Sequence, residues 1–123
     1  MSGRPYVVCA DDDGDILSLV ALRLERAGFD VATAKDGETA LALARARRPT
    51  VVVLDVMMPR LDGVELVKTL RADKDLRRVK IILLSARAQD ADVRRGLDAG
   101  ADAYLVKPFK YSDLADEIER LTG

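Results

Sequence analysis

The chain contains no histidine and a single cysteine among its 123 residues. Without histidine there is no imidazole general base, no Ser-His-Asp triad and no histidine metal ligand. One cysteine, Cys9, excludes an internal disulfide and leaves too few thiolates for a structural zinc site. It lies inside an apolar run and reads as a buried, inert thiol. No apolar run approaches the ~20 residues a membrane-spanning helix needs, and the first residues lack a signal-peptide pattern, so a cytoplasmic setting is expected. Net charge is nearly absent: 20 basic side chains against 21 acidic ones leave -1. That balance gives no ground for expecting nucleic acid or an anionic membrane as a direct partner. Linkers, low-complexity segments and internal repeats are missing too. A chain of this length buries roughly two-thirds of its unfolded surface, so one domain is expected over 1–123, with residues 1–4 loose.

What is present is a set of short apolar runs. Those at 6–10, 51–54, 81–84 and 103–106 are rich in Val, Ile and Leu and do not alternate with polar residues. Runs of this kind fit strands buried on both faces of a parallel sheet. DVATA at 30–34 supplies a fifth. Between them, apolar residues recur at helical spacing: Ile16, Leu17, Val20 and Leu24; Leu66, Val67 and Leu70; Leu114, Ile118 and Leu121. Asp36 is placed to cap a helix carrying Ala40, Leu41 and Ala44, and Gly28 and Gly100 fall where left-handed C-caps belong. Five β–α repeats predict an α/β fold, a doubly wound parallel sheet with helices on both faces.

The residues closing these runs carry the chemistry. Asp11 and Asp12 follow the first, Asp55 closes VVVLD, Ser85 closes IILLS and Lys107 closes AYLVK. Parallel strands ending at one edge bring acids, a hydroxyl and an ammonium into one cleft, a site for a divalent cation and a phosphoryl group. Oxygen ligands of this type suit magnesium, with manganese as an alternative ion. Packed together without a cation, the carboxylates repel, and at least one pKa should rise.

Each feature has a simpler reading. DDDGD alone fits helix capping, the role given to Asp13 and Asp15. As a calcium loop it fails, because Ile16 and Leu22 stand where glycine and glutamate are needed. Asp62-Gly63 reads as a turn into a helix. Asp55 is harder to explain by packing, and the case rests on the conjunction of the four strand ends.

The ordered set Asp11-Asp12, LDVMMPRLDG at 54–63, LLSA at 83–86 and GADAYLVKPF at 100–109 resembles the response-regulator receiver domain of two-component signalling over essentially the whole chain. The resemblance implies a flavodoxin-like (βα)5 fold with strand order 2-1-3-4-5. It implies Asp55 as phosphoacceptor, Asp12 as a direct metal ligand, Asp11 as a ligand mainly through water, and the Met57 backbone carbonyl as a further ligand. Ser85 matches the switch hydroxyl, Tyr104 the aromatic switch and Lys107 the lysine that pairs with the phosphoryl group, followed by a cis Lys107-Pro108 peptide. The implied partners are a histidine kinase or histidine phosphotransfer protein, docking near Leu17, Val20 and Ala21. An output domain or target protein is read through the fourth helix, fifth strand and fifth helix. The chain is then a signalling phosphoacceptor rather than an enzyme, self-phosphorylating with magnesium.

Two positions tune this expectation. Met57 and Arg87 flank the path of hydrolytic water and neither suits its orientation, so self-dephosphorylation should be slow. Receivers of winged-helix transcription factors generally carry a second aspartate before the tyrosine and a basic residue in the last helix, where this chain has Ala103 and Glu117. A monomer is therefore expected, with weak or no dimerisation on phosphorylation, Arg95 and Asp113 retaining one possible link. A stand-alone receiver and a part of a longer protein both remain open. So does a receiver-like docking scaffold that is never phosphorylated. A haloacid dehalogenase-type phosphatase needs an acid at position 57, and a flavodoxin needs a phosphate cradle in place of DDDGD.

Overall fold

The computed structural model describes residues 4–122. Its elements alternate: β1 (Tyr6–Ala10), α1 (Gly14–Arg26), β2 (Asp30–Ala34), α2 (Gly37–Ala46), β3 (Val51–Asp55), α3 (Gly63–Ala72), β4 (Lys80–Ser85), α4 (Asp90–Ala99), β5 (Ala103–Val106) and α5 (Tyr111–Thr122). All five strands are parallel, in the order β2-β1-β3-β4-β5.

Why the strand runs do not alternate is visible in the packing. On one face Val8, Ala10, Val52, Leu54, Ile81 and Leu83 meet the stripes of α2 and α3, including Ala40, Ala44, Leu66 and Leu70. On the other, Val7, Cys9, Val51, Val53, Ile82 and Leu84 meet Leu17, Val20 and Leu24 of α1 and Leu114 and Ile118 of α5. Every position of β1 and β3, and every position of β4 after Lys80, is therefore buried, and each fully buried Val or Leu contributes about 1.5–3 kcal/mol. Burial also pushes the Cys9 thiol up to about 12, which keeps it inert.

Three aspartates start helices. Asp13 accepts from the Asp15 and Ile16 N–H groups, Asp36 from Thr39 and Asp62 from Glu65, caps worth about 1 kcal/mol each. Gly28 and Gly100 adopt φ 103° and 123° at the ends of α1 and α4. Of residues 1–4, expected to be loose, Arg4 is described, and its guanidinium donates to the carbonyls of Gly28 at 2.9 Å and Phe29 at 3.0 Å in the α1–β2 turn. Residues 1–3 lie outside the described residues.

Candidate functional site at the carboxyl ends of the strands

Parallel strands all end at the same edge, so the residues that follow β1, β3, β4 and β5 converge there. Backbone bonds hold the convergence: Asp11 N–H donates to Ala34 O, Val56 N–H to Leu84 O and Lys107 N–H to Ser85 O. Gly63 is required nearby, because a Cβ there would stand 2.7 Å from the Asp55 carbonyl oxygen. Its absence lets the loop after β3 fold back and start α3 directly behind Asp55.

Lys107 is the centre of the arrangement. Its Nζ donates to Asp11 Oδ2 at 2.8 Å and to Asp55 Oδ2 at 3.2 Å. The other oxygen of each acid takes a backbone donor: Asp13 N–H on Asp11 Oδ1 at 2.9 Å and Met57 N–H on Asp55 Oδ1 at 3.1 Å. Asp11 and Asp55 are buried, whereas Asp12 is exposed. One carboxylate oxygen from each of Asp11, Asp12 and Asp55 can be chosen so that all lie within 4.8 Å of one another. A hard divalent ion takes carboxylate oxygens in this way, and the donor set contains no nitrogen or sulfur that would favour a softer metal.

The electrostatics follow from burial. Desolvation, above all, pushes the Asp55 carboxyl from 3.8 up to about 6; the Met57 N–H pulls it down, the neighbouring Asp11 pushes it up, and Lys107 opposes the rise. Burial alone would lower the Lys107 ammonium, but its two carboxylate partners outweigh that and hold its pKa above the ordinary value. Three acids and one ammonium at one cleft leave it short of positive charge.

Ser85 is completely buried beside this group, and its Oγ accepts the Arg87 N–H at 3.0 Å. The Tyr104 hydroxyl donates to the Arg87 carbonyl at 3.0 Å. Its ring lies against Gly96 of α4, where a Cβ would come within 3.1 Å of Tyr104 Cδ2 and 2.8 Å of Leu83 Cδ1. Gly96 is the residue that sequence reasoning passed over; a glycine in mid-helix was its only signal. Arg60, at φ 71°, is a second, a left-handed residue in the β3–α3 loop whose guanidinium lies 3.9 Å from Asp36. Met57 and Arg87 are both exposed at the mouth, and the Lys107-Pro108 peptide is cis.

Next to Lys107 a groove of about 480 Å³ runs between α1 and the loop into α5, lined by Ile16, Leu19, Arg23, Pro108, Phe109 and Tyr111 among others. Of the α1 residues that mark the expected docking region, Val20 also lines this groove, while Leu17 and Ala21 are buried and do not; the large apolar side chains that α1 exposes are Leu19 and Leu22. The spacing that marked Leu17 and Val20 is the stripe that faces the core.

Comparison with known proteins bears on this geometry. A family model described as the response regulator receiver domain matches residues 7–119. The transcriptional regulatory protein PrrA of Mycobacterium tuberculosis is 48% identical over 118 residues, 95% of this chain and 49% of that protein. The chain thus spans about half the length of the curated relatives it matches. Among solved structures, chemotaxis protein CheY4 of Vibrio cholerae superposes with a TM-score of 0.91 at 34% identity, covering 97% of this chain and 99% of that one. The receiver domain of sensor histidine kinase PA1611 from Pseudomonas aeruginosa gives a TM-score of 0.90 at 30% identity, covering 98% and 99%, and holds a magnesium ion coordinated in its active site cleft. No helix among the described residues is long and apolar enough to cross a membrane.

Proposed function

The chain belongs to the response-regulator receiver family, and on that footing we propose that Asp55 accepts a phosphoryl group from a phosphohistidine on a partner histidine kinase or histidine phosphotransfer protein. The observation that carries this reading is the Lys107 ammonium held between Asp11 and Asp55 at the closed end of a cleft that Asp12 opens to solvent. An Asp55 carboxylate oxygen attacks phosphorus, the O–P bond forms as the P–N bond breaks, and the imidazole leaves. Little covalent work falls to the protein in such a transfer; it aligns the groups and offsets charge. Lys107 supplies one positive charge to the phosphoryl oxygens. Asp12, Asp55, the Met57 carbonyl and, through water, Asp11 would hold magnesium, or manganese, which supplies the remaining positive charge when bound.

The acyl phosphate adds about -1.5 to -2 charges and strong acceptor oxygens. Ser85 then leaves the Arg87 N–H and donates its hydroxyl to the phosphoryl group. Tyr104 follows into the vacated space, and the face made of α4, β5 and α5 changes shape for an output domain or target protein to read. This is a shift between two packings, biased by the phosphoryl group. The chain turns over no substrate; it is a stoichiometric acceptor in the cytoplasm. The kinase docks on the groove beside α1, where Leu19 and Phe109 offer apolar contact next to the reacting group. Hydrolysis is slow because neither Met57 nor Arg87 aligns a water. Phosphorylation leaves the chain monomeric or weakly paired: Ala103 is buried, and Glu117 is engaged within α5 by Arg120 at 2.6 Å.

The test is intact mass after incubation with acetyl phosphate and magnesium. A metal-dependent gain of one phosphoryl group, lost in Asp55→Asn, is expected. An unmodified wild type both here and after mixing with phosphorylated histidine phosphotransfer proteins would favour the docking-scaffold reading instead.

A further inference from the structure

The opposite edge of the sheet carries a feature that the phosphoacceptor reading does not use. At the amino end of β4 a cleft of about 490 Å³ is lined by Arg71, Arg77, Arg78, Val79, Lys80, Gly100 and Asp102. Arg71 builds it. Its guanidinium donates to the carbonyls of Gly100 at 2.9 Å, Arg77 at 2.7 Å and Val79 at 2.6 Å, and to Asp102 Oδ2 at 2.9 Å. The same Asp102 oxygen accepts the Ile81 N–H at 2.8 Å. Beneath the loop, Leu76 and Val79 are buried in the core. The segment between α3 and β4 is therefore pinned from below by packing and from the side by one guanidinium.

Where it lines the cleft, this turn presents charge of one sign; its acids, Asp73 and Asp75, lie earlier in the turn and outside the lining. Arg77, Arg78 and Lys80 are exposed, and among the described residues none of the three meets a carboxylate, whereas Arg45, Arg47 and Arg71 on the same side of the molecule do. The single acid lining the cleft, Asp102, is already engaged by Arg71 and Ile81. Carbonyls at the ends of α3 and α4 would repel an anion, but those of Gly100, Arg77 and Val79 are occupied by Arg71. The chain's net charge of -1 conceals this local excess.

We propose that this cleft binds a condensed phosphate, two or more phosphoryl groups at close spacing. Three unpaired cations exceed what one phosphate dianion neutralises, and guanidinium forks match phosphoryl oxygens. No aromatic side chain lines the cleft, so it lacks the stacking platform of a single-strand nucleic-acid site. Val79 is the only large apolar residue in the lining and is itself buried, which leaves a peptide nothing to anchor on. Because the turn is held before the ligand arrives, little ordering is needed on binding. The ligand sits on the α3–β4 side of the cleft, across from the Gly100 carbonyl and Asp102 carboxylate that Arg71 already engages. The site is independent of Asp55.

The experiment is a titration of the whole chain, in EDTA, with tripolyphosphate and separately with ATP, followed by backbone amide shifts. Shifts confined to residues 71–80 and 100–102 are expected, with affinity falling at least about tenfold in Arg77→Ala/Arg78→Ala and unchanged in Asp55→Asn. Lys80→Ala should weaken binding too, which keeps the test open if the double variant folds poorly. Equal affinity for both probes assigns the site to inorganic polyphosphate, and tighter ATP binding to a nucleotide tail. Absent shifts, shifts centred on Asp55 and Lys107, or equal binding of polyglutamate would overturn the proposal. So would tighter binding of duplex DNA at the same residues.

Discussion

Asp55→Asn should make the metal-free protein more stable at neutral pH. The folded state holds the Asp55 carboxyl at about 6 against an ordinary 3.8. A difference of that size corresponds to about 3 kcal/mol by which the folded state disfavours the ionised carboxylate. The direction is set by which state keeps its proton. Between about pH 4 and pH 6 the folded chain binds more protons at this group than the unfolded chain, so stability falls as pH rises through that window. Above it the full cost is present. Asparagine removes the charge but also the contact with Lys107 at 3.2 Å, so the net gain is about 1–3 kcal/mol, or about 5–10 °C in the melting midpoint for a domain of this size. Urea and thermal unfolding in EDTA at low salt, at pH 7.5 and pH 4.5, make the comparison. The variant should exceed wild type at pH 7.5, keep only about a third of that lead at pH 4.5, and lose most of its advantage when magnesium is added to both. Equal midpoints at pH 7.5, or the same gap at both pH values, would refute the claim that the folded state disfavours the buried Asp55 charge.

Other consequences follow. Lys107→Met leaves two buried carboxylates without their shared cation and should slow Asp55 phosphorylation by acetyl phosphate about a hundredfold, with Asp55 titrating higher still; an unchanged rate would remove Lys107 from the chemistry. Gly96→Val places branched carbon where a Cβ alone meets Leu83 and Tyr104, and should cost about 1–3 kcal/mol in urea unfolding while shifting the Tyr104 ring resonances. Met57→Asn combined with Arg87→Glu should shorten the lifetime of the phosphorylated form about tenfold, since both then offer groups that orient water; mass spectrometry of the decay reads this directly. Asp13→Ala removes two side-chain bonds at the start of α1 and should lower stability by about 1 kcal/mol in thermal melts.

The strands were legible in the sequence because both faces of the sheet are covered, and a run such as 51–54 can be apolar at every position only in that setting. Caps at Asp13, Asp36 and Asp62 were legible because their bonds are local. The gathering of Asp11, Asp55, Ser85 and Lys107 followed from strand direction alone. What stayed hidden depends on contacts between distant segments. Helix α4 buries only Gly96, so it has no apolar stripe to read, and the fit of Tyr104 against that glycine exists only after β5 and α4 pack. Leu17, Val20 and Leu24 show a further limit, since helical periodicity marks the face turned inward and says nothing of which apolar residues, here Leu19 and Leu22, remain outside. The partners of Arg4 could not be read locally either, because they lie more than twenty positions away.

The two residues assigned to the switch are joined by one residue between them. Arg87 gives its N–H to Ser85 Oγ and takes the Tyr104 hydroxyl on its carbonyl. Its own side chain, exposed at the mouth, has no part in that link. On the proposed reading, a phosphoryl group that draws Ser85 away breaks the first bond, and the second gives way as the Tyr104 ring follows. A net hydrogen bond of this kind is worth about 1 kcal/mol, small enough for a phosphoryl group to overcome and large enough to favour the resting arrangement in its absence. Gly96 sets the other side of the balance, because the space its missing Cβ leaves is what allows the Tyr104 ring to sit against α4. The coupling between cleft and surface therefore needs no long pathway: one buried hydroxyl, one backbone segment and one aromatic ring span it.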